Sequence, residues 1–71
     1  MMELTTEETE AVRRKIEVLK IEHRDLDEVI DRLAHDPDLD ELQLRRLKRR
    51  KLLLKDQITL LQKQLVPDIS A

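Results

Sequence analysis

The chain has 71 residues with no cysteine, no glycine and no aromatic residue, and 42% of it is charged. Those absences exclude a disulfide framework, a thiolate metal site, a cysteine nucleophile, a glycine-rich phosphate loop and the aromatic platforms on which bases stack. The net charge of −2 gives no global attraction to nucleic acid or to an anionic membrane.

Leu, Ile, Val, Met and Ala supply the whole hydrophobic fraction of 39%, a composition that reads as long helix or coiled coil. The length allows one small domain, and domains of this size often need self-association to complete a core. No apolar run approaches the roughly 18 residues of a membrane span. The start, Met1-Met2-Glu3-Leu4-Thr5, has neither the basic residues nor the apolar stretch of a signal peptide. A soluble, cytoplasmic protein is the expectation.

The first helix is predicted over about 6–34. Thr5-Thr6-Glu7-Glu8 fits a capping box, in which threonine accepts from the third helical amide and Glu8 reaches back. Glu7, Glu8 and Glu10 also suit the positive end of a helix dipole. Apolar residues recur at Val12, Ile16, Leu19, Leu26, Ile30 and Leu33, with His23 in the gap, so the steps alternate four and three. That is an unbroken heptad seam.

A turn follows at about 35–38, in Ala34-His35-Asp36-Pro37-Asp38-Leu39. The second helix is predicted over about 39–65, with two candidate caps. Either Asp36 caps with Pro37 as the first helical residue, or Asp38 caps with Glu41 completing a box. Its seam runs Leu44, Leu47, Lys51, Leu54, Ile58, Leu61 and Leu65, again in register with one polar interruption. Pro67 should end the helix and leave a frayed tail over 66–71.

So short a connection forces two helices of about 42 Å each to lie antiparallel and adjacent. Facing positions should then sum to about 73–77, with the turn centred near residues 36 to 38. This register places Asp27 near Lys48 and Glu22 near Arg50, which attract, and Lys20 near Lys55, which repel. The predicted fold is all-α: an antiparallel two-helix hairpin, coiled-coil-like, assembling into a dimeric four-helix bundle.

The basic run Arg45-Arg46-Leu47-Lys48-Arg49-Arg50-Lys51, with Lys55, offers a polyanion grip. In the hairpin it lies opposite Glu22, Asp25, Asp27, Glu28 and Asp31, which cancel much of its field. Arg45, Arg46 and Arg49 alone point clearly outward. Nucleic acid is therefore the lesser reading, and a solvated, partly paired helix face the greater. His23 and Lys51 interrupt the two seams at about the same level. They read as a polar layer that fixes register at some cost in stability, rather than as a pH sensor or ligand pair. Lys51 is expected to lay its stem along the seam and lift its amine to solvent or an acidic neighbour.

Asp36, Asp38, Asp40 and Glu41 lack the glycine and distal glutamate of a calcium loop and suit helix capping. His23 and His35 are three turns apart, and the only serine is Ser70, so no catalytic set assembles. No active site, metal site or cofactor site is expected.

Apolar residues are left over. Val18, Ile21 and Val29 on the first helix, and Leu39, Leu42, Leu52, Leu53 and Leu60 on the second, lie outside the seam. A second apolar face expects a second partner. A two-fold dimer of hairpins is the economical solution, and a docking face for a different, unidentified protein is its rival.

Two segments resemble the YdcH-like family of small bacterial coiled-coil proteins. The more specific is Leu47-Lys48-Arg49-Arg50-Lys51-Leu52-Leu53-Leu54-Lys55-Asp56-Gln57-Ile58, which carries the family's LK-x-x-KL-x-LKD-x-I run intact. The weaker is Glu22-His23-Arg24-Asp25-Leu26-Asp27. The resemblance extends over roughly residues 12 to 65. It implies a helical hairpin that tends to self-associate, without known catalysis or cofactor, and it transfers no functional site. The matching positions also suggest that Asp56 bridges Lys51 and Lys55, and Lys20 across the hairpin.

Overall fold

The computed structural model of the chain describes residues 4–65. Helix α1 runs Thr6–Ala34 over 29 residues, and helix α2 runs Glu41–Leu65 over 25. There is no strand among the described residues, and the two helices fold back on one another as a hairpin. The expected tail and the helix-ending role of Pro67 lie outside the described residues.

Helix α1 starts as its first residues dictate. The Glu8 amide donates to Thr5 Oγ1 at 3.1 Å, and the Thr5 amide donates to Glu8 Oε1 at 3.0 Å. This closed capping box holds the Glu8 carboxyl below its ordinary value, mainly through the Thr5 amide and then through its hydroxyl. The helix ends without a left-handed residue, as a chain lacking glycine must arrange. The His35 and Asp36 amides donate three residues back, to Arg32 and Leu33 carbonyls, tightening the last turn.

Helix α2 starts at Glu41, about two residues later than the sequence predicts, and neither expected cap is used. Asp36 spends its carboxylate on the Asp38 amide at 2.9 Å, an Asx turn around Pro37, which has no amide to lose. Asp40 caps instead. Its Oδ1 accepts from the Leu42 and Gln43 amides at 3.0 and 3.2 Å, and its carbonyl takes the first helical bond from Leu44. One carboxylate thereby satisfies two of the orphan amides of the helix start.

The two heptad seams make the interface. Each of their fourteen positions is buried or half-buried, and outside them only Leu4, Thr9 and Leu39 of the described residues escape full exposure. Ile16, Leu19, Leu54 and Ile58 form the central cluster, with Val12, Leu26, Leu61 and Leu65 packed against it. Ile30 is buried separately, nearer the turn. Only five described residues are buried in all. Two helices present one shared seam, and one seam is a thin core.

Candidate interaction surface

Each seam carries one polar interruption, His23 on α1 and Lys51 on α2. Lys51 is half-buried, and its ammonium leaves the apolar interface to donate to Asp27 Oδ1. The Lys51 hydrogen bond first, its charge second, and the nearby His23 least, hold the Asp27 carboxyl below its ordinary value of 3.8. His23 lies one turn before Asp27 on α1 and is also half-buried.

Asp27 lies near Lys48 along one groove, as the register expects, but its ion pair forms with Lys51. The reason is burial: an ammonium partly withdrawn from water gains more from a carboxylate than one already solvated. Asp56, against expectation, does not bridge the lysines. Among the described residues the ion pair is Lys51–Asp27, and the exposed His35 lies 3.8 Å from the Asp31 carboxylate. The His35 Nδ1 also lies 2.7 Å from the Asp31 carbonyl.

The hairpin has two broad sides, and the grooves between its helices identify them. One groove is lined by Glu22, Asp25, Val29 and Arg50, and another by Lys15, Gln57, Leu60 and Gln64. Lys15, Glu22 and Val29 are spaced by sevens, as are Arg50, Gln57 and Gln64. A seven-residue step returns nearly to the same helix face, so both grooves open on one side. The opposite side has a groove lined by Asp27, Glu28, Asp31, Ala34 and Lys48. It also carries the Lys51–Asp27 pair.

The leftover apolar residues divide between these sides. Val18 and Val29 are eleven residues, or three turns, apart, and Leu60 follows Leu53 by seven. These four belong to the first side, at 41–61% exposure. Leu42, 58% exposed, lies two residues before the seam residue Leu44, on the back of α2. Ile21, 49% exposed, lies on the back of α1, about half a turn from the seam residues Leu19 and His23 that flank it. Leu52, 67% exposed, belongs to the opposite side, with Lys48 and Lys55 one turn to either end. Leu39 sits half-buried beside the turn. The eight residues are therefore not one continuous face.

Arg45, Arg46 and Arg49 are exposed and make no ion pair among the described residues. No group of three metal-ligating side chains occurs among the described residues, and no described helix is long and apolar enough to cross a membrane.

The family model for DUF465, "Protein of unknown function", matches residues 16–62. The chain belongs to the DUF465 family. This is the family that the LK-x-x-KL-x-LKD-x-I run indicates under the description YdcH-like. No curated protein and no solved structure matches the chain.

The DUF465 match takes in the turn, the polar layer and the basic run, and leaves out the Thr5 capping box. Within that span, periodicity located the seams but missed the partner of Lys51. A signal was available: Asp27 is the acid four residues after His23, one turn along from the level at which Lys51 must emerge.

Proposed function

We propose that this DUF465 protein is a non-enzymatic interaction module, a hairpin that self-associates as a dimer and forms a four-helix bundle. The contact is the side that carries Val18, Val29, Leu53 and Leu60. One observation carries the reading: these four large apolar side chains are 41–61% exposed and recur at helical spacing on one side. Full burial of a Val or Leu side chain contributes about 1.5–3 kcal/mol, so four half-exposed ones leave about 3–6 kcal/mol unclaimed in a lone hairpin. That is comparable with the whole stability of a small domain, about 5–15 kcal/mol. A second copy is the occupant because the same patch serves both partners about a two-fold axis. The cysteine-free composition suits a reducing cytoplasm.

Sedimentation equilibrium tests the reading. The expected mass is twice the 8.5 kDa of the chain, and Leu53→Glu with Leu60→Glu should return it to the single-chain value. Leu52→Glu, on the other side, should leave the dimer intact. A well-folded species of single-chain mass at high micromolar concentration overturns it.

Arg45, Arg46 and Arg49, exposed and in no ion pair among the described residues, favour a second reading, a contact to nucleic acid. It predicts salt-sensitive binding to duplex DNA or RNA, with a log–log slope that falls by up to about 3 when all three become Gln. Absence of binding at low salt ends it.

A further inference from the structure

The dimer proposed above leaves its geometry open, and the charges on the contacting side decide it. Two hairpins stacked side to side about a two-fold axis have two choices. With the axis along the hairpin, the turns share one end and each α1 lies over the partner's α2. With the axis across the hairpin, the turns point apart and each helix lies over its own copy.

On the contacting side the middle of α1 presents acid, Glu22 and Asp25, two turns from Lys15, and α2 presents base, Arg46 and Arg50. The groove lined by Glu22, Asp25 and Arg50 places acid and base at the same level of the hairpin. Arg46 lies one turn from Arg50 toward the turn of the chain. With the turns apart, full overlap of the apolar residues brings Glu22 and Asp25 of one α1 onto the same carboxylates of the partner. Four carboxylates would then share a dewetted interface, where like charges cost most. With the turns together, Glu22 and Asp25 meet the partner's basic residues. Val18 then falls at the level between Leu53 and Leu60 of the second copy.

We infer that the hairpins dimerise with their turns at the same end, each acidic α1 face seated on the basic α2 face of the second copy. The inference rests on the self-association proposed above. The occupant is a second copy because both halves of the charge pattern occur on one chain. A partner carrying only one charge sign would satisfy one helix and repel the other.

The absence of cysteine makes the test clean. Exposed Asp38, in the turn, and exposed Lys63, at the other end, are each replaced by Cys in separate full-length chains. Each chain carries a spin label and is measured by double electron–electron resonance, with circular dichroism as the control for folding. Same-end packing predicts label separations of about 15–30 Å at both sites, set by helix spacings of about 10 Å and the label arms. Packing with the turns apart predicts about 35 Å or more at both sites, because the ends are separated by most of a 1.5 Å-per-residue helix. Short distances at both sites support the inference. Long distances overturn it and leave the dimer standing. A folded chain of single-chain mass with no dipolar coupling overturns both. A second variant keeps the charge argument separate: Glu22→Gln with Asp25→Gln, in the Asp38→Cys background, should lose the preference and broaden the distance distribution. An unchanged short distance in that variant removes charge as the cause.

Discussion

Individual residues in this hairpin act mostly by satisfying what the backbone or the seam would otherwise leave bare. Lys51 shows the principle. Its stem occupies a seam position and its ammonium, barred from the interface, finds Asp27. The pair has a pH signature whose sign follows from the lowered Asp27 value. A carboxyl held down in the folded state contributes stability that is fully present above its unfolded value. That contribution is lost as pH falls through the still lower folded value. Asp27→Asn should therefore melt below the parent chain at pH 7. The two melting curves should converge as pH drops below about 4, toward pH 2. A constant gap across that range, followed by circular dichroism, would show that the carboxylate charge is not the active feature. Glu8 in its capping box titrates in the same sense.

At the scale of an element, the start of α2 shows how several plausible caps resolve into one. Asp36, Asp38 and Asp40 are equivalent by residue type, and Pro37 argues for the earliest. Competition decides among them. Asp36 is spent within the turn, and Asp40 is the one whose carboxylate reaches two helical amides. Asp40→Ala should cost about 0.5–2 kcal/mol, as loss of an N-cap does, whereas Asp38→Ala should change stability by less than about 0.5 kcal/mol. Chemical denaturation of the two variants checks the ranking, and equal losses would return the cap to Asp38. The seams are a second matter of the element scale. Their alternating steps of three and four assign fourteen positions, and all fourteen are withdrawn from solvent, because a helix offers a neighbour one stripe only.

For the whole molecule the decisive quantity is how little one hairpin buries. Five buried side chains among the described residues are a thin core for a chain that must also offset the conformational entropy of two long helices. If dimerisation supplies the remainder, folding and association are linked. The melting temperature then depends on concentration, and each tenfold dilution removes about 1.4 kcal/mol from the apparent stability of the dimer. Melting curves collected from about 1 to 100 μM should shift downward on dilution. Superimposable curves over that range would show that a single hairpin is stable alone. Leu52 and Ile21 lie off the proposed contact, so their replacement by polar residues should leave this dependence intact.

The sequence by itself determined the class of fold, the two helices, the capping box at Thr5 and both seams. It could do so because heptad periodicity and capping are local properties, written within a few turns of chain. It also contained the family, in a run of twelve residues. What only the tertiary structure decided are matters of competition and of side. Asp40 displaces Asp36 and Asp38, Lys51 rather than Lys48 takes Asp27, and the leftover apolar residues separate onto different sides of the hairpin. Each depends on where a second helix stands relative to the first. Period fixes which stripe a residue occupies; the neighbour fixes whether that stripe faces water, a groove or a charge.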